Sequence, residues 1–160
     1  MKICIFLTIM FLVVATSGCE VVRFFSPVDQ IIATDFDVTP EWKEIKPEQP
    51  MTAPHRIKMI YLKVEGAKLP EAMVDQNANT ASRNWSALIL PDGETAVPEV
   101  ILIDESGREH VLHGSQESVD GRGYSADSTE MADLKFVSLK IRSDVPFKAS
   151  EVRWRAYEPK

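Results

Sequence analysis

Cysteine is nearly absent from this chain: only Cys4 and Cys19 carry a thiol, and both fall within the first nineteen of 160 residues. The remainder holds no internal disulfide and no cysteine-based zinc site. Histidine is almost as scarce, with His55, His110 and His113 alone. His110 and His113 stand three apart in a stretch that reads as a strand, so their side chains point to opposite faces. No metal and no cofactor are expected. A large basic cluster is also lacking, and the formal net charge is −6. That balance argues against nucleic-acid binding, which needs cationic surface against phosphates. Ser115 follows Gly114 without a G-x-S-x-G elbow. Gly121-Arg122-Gly123 lacks the strand-then-helix context of a phosphate loop. Asp120, Asp127 and Glu130 lack the spacing of an EF-hand loop. With no motif that carries catalytic geometry, no enzyme is expected.

What is present begins at the N-terminus. Lys2 precedes an almost wholly apolar run, Ile3 to Ala15. The run has the length of a signal-peptide core, roughly 7–15 residues, and falls short of the ~20 that a spanning helix needs. It ends in Thr16-Ser17-Gly18-Cys19. This order resembles the lipobox of bacterial lipoproteins, in which small residues precede a cysteine; the leucine usual three places before it is here Thr16. The resemblance covers the first 19 residues only. It implies a diacylglycerol on the Cys19 sulfur, cleavage before Cys19, and a location in the bacterial cell envelope. Loss of residues 1–18 takes away Lys2 and leaves the remainder at −7. In that family an aspartate after the cysteine favours the inner membrane, so Glu20 points to the outer membrane. The chain then divides into a signal peptide (1–18), a lipidated N-terminus and tether (19–28) and one domain (29–160). About 140 residues suffice to bury a core without covalent staples.

The domain reads as short strands separated by turns. Gln30–Val38, Arg56–Glu65 and Trp85–Leu90 are rich in β-formers. Glu99–Asp104 and Arg108–His113 flank Glu105-Ser106-Gly107, a hairpin with glycine at the position that needs positive φ. Lys135–Arg142 and Val152–Tyr157 read as a last pair. Four prolines between Pro40 and Pro54 make Thr39–His55 an irregular connection. Gly66–Arg83 reads as a short helix or loop, and the glycines of Asp120–Glu130 make it loop. No long amphipathic helix is present. Turns every 8–12 residues point to an all-β fold, an antiparallel β-sandwich of jelly-roll-like or immunoglobulin-like type. Period-two alternation places Val137, Leu139 and Ile141 on one core face, and Val152, Trp154 and Ala156 on another.

Two candidate surfaces follow. If the last two strands pair, Lys140, Arg142, Arg153 and Arg155 share one outward face. Like charges opposite one another are unfavourable. Either neighbouring acids such as Glu99 or Glu109 neutralise them, or the face docks an anionic partner, namely lipid headgroup, acidic polysaccharide or acidic protein surface. Separately, Trp42 and Tyr124 lie in expected loops, where exposed rings can stack on sugars. Trp85 reads as core. The leading expectation is a non-enzymatic protein-interaction module tethered at Cys19 to the envelope membrane. The alternative is a carbohydrate- or cell-wall-binding module that uses Trp42 and Tyr124.

Overall fold

The computed structural model describes residues 27–52, 55, 57–70, 86–115, 121–125, 131 and 134–157. Cys19 and the tether up to Ser26, Trp85, the Gly66–Arg83 stretch beyond Pro70, and Asp120, Asp127 and Glu130 lie outside them, whereas Val28, the last tether residue expected, already belongs to the first strand. Ten strands are present among the described residues: β1 (Val28–Val38), β2 (Lys43–Ile45), β3 (Ile57–Lys63), β4 (Leu88–Ile89), β5 (Thr95–Ala96), β6 (Pro98–Asp104), β7 (Glu109–Ser115), β8 (Gly121–Ser125), β9 (Phe136–Ser143) and β10 (Phe147–Tyr157). The fold is all-β and antiparallel, as the strand pattern leads one to expect. Eight strands form a continuous sheet in the order β1-β10-β3-β8-β7-β6-β9-β2, and β4 with β5 makes a small separate hairpin. The two edge strands, β1 and β2, are neighbours in sequence and close in space. The Ser143 amide, at the end of β9, donates at 3.0 Å to the carbonyl of Thr39, the residue after β1. The sheet is thus a nearly closed, barrel-like wall.

Its interior is apolar. Val152, Trp154 and Ala156 of β10 face inward and are fully buried, as alternation predicts. Phe136 packs against Trp154 at 5.9 Å between ring centroids, and His110 meets Phe136 edge-on at 5.5 Å. A second small cluster comprises Val64, Ala67, Leu88, Leu90 and Ala96, with Phe147 touching both clusters. The hairpin β4–β5 is stapled on by this cluster. The turn at Pro91-Asp92-Gly93 closes it, with Gly93 at φ 91°.

Four sequence expectations need correction. First, β9 and β10 do not pair: β9 lies between β6 and β2, and β10 between β1 and β3. The two strands are joined by a short turn, yet β9 pairs with β6 and β2 while β10 pairs with β1 and β3. Second, Gly121–Ser125 is a strand. Its glycine is an asset, because a Cβ at Gly121 would collide with the Leu62 carbonyl and would lie 2.6 Å from the Tyr61 hydroxyl. Absence of that Cβ lets β8 approach β3 closely. Third, the proline-rich connection contains β2, whose Ile45 is buried opposite Leu139. Fourth, Val137 points outward and is 38% exposed. The ladder between β6 and β9 slips there, so that Ile103 opposes Ser138 while Asp104 opposes Phe136. This bulge puts the larger Phe136 in the core and expels Val137.

Candidate functional site

The outer face of β7-β6-β9-β2 gathers the most unusual surface of the described residues. On β9, outward-facing Lys140 donates to Glu109 of β7 at 2.8 Å. Arg142 donates to Glu99 of β6 at 2.7 Å through Nη2 and 3.2 Å through Nε. The hydrogen bond to Glu109 holds the Lys140 ammonium pKa above its ordinary value. Glu99 and Glu109 are therefore the compensating acids that the strand sequences suggest. Trp42, just ahead of β2, lies beneath the Arg142 guanidinium, 4.6 Å from ring centroid to Cζ. Cation–π contact of this kind contributes about 0.5–1 kcal/mol at exposed sites. Among these paired charges, Val111 is 57% exposed and Val137 38%. Large apolar groups on a rigid sheet, bordered by ion pairs, are the ordinary make-up of a protein-binding patch.

Arg153 and Arg155 are elsewhere, on the outer face of β10. Arg153 sits between Asp29 at 3.1 Å and Glu151, with which it makes a short hydrogen bond. Arg155 lies 3.4 Å from the second Asp29 oxygen and stacks 4.2 Å over the Tyr61 ring. The single strip of Lys140, Arg142, Arg153 and Arg155 thus does not exist. Its two halves belong to non-adjacent strands, and each cation has an acidic partner. Exposed pairs of this type contribute about 0–1 kcal/mol each, so they shape the surface more than they stabilise the fold.

Tyr124 is also not where a glycan-binding residue belongs. It lies in β8, fully buried, and its hydroxyl donates to the Ser86 carbonyl at 3.0 Å. Burial raises its pKa well above the ordinary phenol value. The loop expected around Tyr124 is a strand, so its ring is turned into the core. Trp42 remains 39% exposed, with Arg142 across its ring.

His110 and His113 point to opposite faces, as their spacing requires. His110 shares a 2.9 Å hydrogen bond with Asp104, and His113 is exposed. Among the described residues no group of three His, Cys, Asp or Glu side chains is placed to hold a metal.

A second feature is a surface cleft of about 460 Å³ beside the bends of β1 and β10. Asp35, Glu65, Asp92 and Lys148 line it, over Leu90 and Phe147. Asp35 adopts φ 51°, an uncommon backbone for a residue with a side chain. Its carboxylate pairs with Lys148 at 2.9 Å, which holds the ammonium pKa above its ordinary value. Three carboxylates facing one ammonium leave this cleft acidic. No sequence motif marks it, because its lining comes from segments far apart in the chain. Comparison with known protein families, with characterised proteins and with solved structures finds no match to this chain.

Proposed function

We propose that this chain is a lipoprotein of the bacterial envelope, held at the membrane through Cys19, and that its β-domain is a non-enzymatic module that docks another envelope protein. The outer membrane is the favoured location, from Glu20. The finer fold class belongs to the same proposal: a flattened sandwich whose two halves join at β7, one comprising β1-β10-β3-β8 and the other β6-β9-β2. One observation carries the docking reading. Val111, Val137 and Trp42 stand exposed together with the Glu99–Arg142 and Glu109–Lys140 pairs on one rigid outer face. An apolar centre within a charged border suits a protein partner better than a lipid headgroup or a nucleic acid. The carbohydrate reading is weaker, because Tyr124 is buried and Arg142 occupies one side of the Trp42 ring.

The test is cross-linking of the full-length acylated protein in its native envelope, read by mass spectrometry. Val111→Glu with Val137→Glu should lower recovery of the dominant cross-linked protein about tenfold or more, the effect of losing a central contact of about 1.4 kcal/mol. Arg153→Glu, on the other half, should leave recovery unchanged. If Trp42→Ala abolishes retention on a glycan column while the Val111/Val137 double variant retains normally, the carbohydrate reading replaces this one. Cys19→Ala should move the protein from the membrane to the soluble fraction, since each buried acyl CH₂ contributes about 0.8 kcal/mol to anchoring.

A further inference from the structure

Arg122 occupies β8 two residues before Tyr124, and alternate residues of a strand share a face. Tyr124 belongs to the core, so Arg122 is directed the same way, and it is only 1% exposed. Opposite it on β3 stands Leu62, and opposite Leu62 on β10 stands Val152; both are fully buried. The guanidinium is therefore in apolar surroundings. Its Nε and Nη2 have no hydrogen-bond partner among the described residues. The other deeply buried cation, Lys58, contrasts with it: its ammonium donates to the Met131 carbonyl at 2.7 Å. Desolvation lowers the Arg122 pKa, although an arginine side chain remains protonated in proteins. A buried charge without a partner costs several kcal/mol, and folds tolerate one only when something compensates it.

The identity of the two free nitrogens narrows what that partner is. Nε and Nη2 carry hydrogens that lie side by side on one edge of the guanidinium plane. That edge is the fork that grips two oxygens of a carboxylate or phosphate at once. We propose that Arg122 is the anchor of a binding site for a small oxyanion, a carboxylate or a phosphate, received on the inward face of β8. Leu62, Tyr124 and Val152 beside it are fully buried, which leaves room for a compact anion at most and none for a long acyl chain. The site is independent of the outer docking face, which lies on other strands.

The experiment is thermal unfolding of the full-length chain in sodium phosphate, sodium acetate and sodium chloride at equal ionic strength. A ligand that binds only the folded state raises the melting temperature, with the logarithm of its concentration once that exceeds the dissociation constant. The wild type should melt higher in phosphate or in acetate than in chloride, and whichever anion acts identifies the class of ligand. Arg122→Met should melt above the wild type in chloride, because an uncompensated charge has been removed, and should be indifferent to the anion. Arg122→Lys should need about tenfold more anion for the same shift, because a lysine cannot make the paired contact. Equal melting of the wild type in all three salts overturns the proposal. So does an anion response that survives in Arg122→Met, or a Met variant less stable than the wild type in chloride.

Discussion

Asp104 turns the corner from β6 into β7 by collecting hydrogen bonds on one carboxylate. It accepts from the Ser106 amide at 2.9 Å, the Ser106 hydroxyl at 2.6 Å, the Arg108 amide at 3.0 Å and the His110 ring at 2.9 Å. The bond to His110, followed by that to the Ser106 hydroxyl, holds the carboxyl pKa well below the ordinary range. A depressed carboxyl pKa stabilises the fold above the unfolded value, near ~3.9, and the contribution is lost as pH falls below it toward the folded value. Asp104→Asn should therefore be less stable than the wild type in urea at pH 7. The gap between the two midpoints should shrink steadily below about pH 4. A gap that stayed constant down to pH 2 would show that the effect is steric and not ionic. The turn itself is legible from Glu105-Ser106-Gly107, and Gly107 has the positive φ, 84°, that the hairpin demands. The Asp104–His110 bond is not legible. His110 is six residues away, and only the register of the hairpin brings it back over Asp104.

At the level of the element, β8 shows why composition misleads. Gly121 and Gly123 within five residues read as loop, since glycine is disfavoured in strands. The strand forms because β3 supplies the ladder and because Gly121 leaves room for the Leu62 carbonyl and the Tyr61 ring. Gly121→Ala should cost about 1–3 kcal/mol, the usual penalty for overpacking, in chemical denaturation. Adding Tyr61→Ala should not restore stability, because the collision with the Leu62 carbonyl remains. Full rescue by that second change would place the clash on the tyrosine ring alone. The bulge at Val137 follows the same logic: strict alternation predicts Val137 inside, but one extra residue on β9 seats Phe136 instead. A sequence pattern of period two has no means of announcing where it skips.

Closure of the sheet is a property of the whole molecule. The edge strands β1 and β2 are joined by only four residues, Thr39 to Trp42, and lie at opposite ends of the strand order. A short link between the two ends of a long sheet requires the sheet to curl until they meet. Curling creates one interior, in which Trp154, Phe136 and Tyr124 pack from different strands. Trp154→Ala should cost about 3–5 kcal/mol, the range for removing a buried aromatic side chain. Because a single core is shared by both halves of the sheet, the loss should lower one cooperative transition. Two separable transitions, one for each half, would show that the halves fold independently. The ion pairs on the outside should matter far less: raising salt from low concentration to about 1 M, where the screening length is about 3 Å, should change stability only slightly.

The order of residues was enough for the properties that depend on local pattern. The apolar run before Cys19, the all-β character, the Gly107 hairpin, the opposed histidines and the inward set Val152, Trp154, Ala156 all rest on spacing and local turn chemistry. The partners of each strand were decided only by tertiary structure, since hydrogen-bond pairing depends on which apolar faces meet across the core. That choice sent β9 and β10 to different neighbours, divided the four cations, buried Tyr124 and stacked Arg142 on Trp42. It also put the Arg122 guanidinium in an apolar interior, a placement that no sequence rule anticipates for a residue between two glycines.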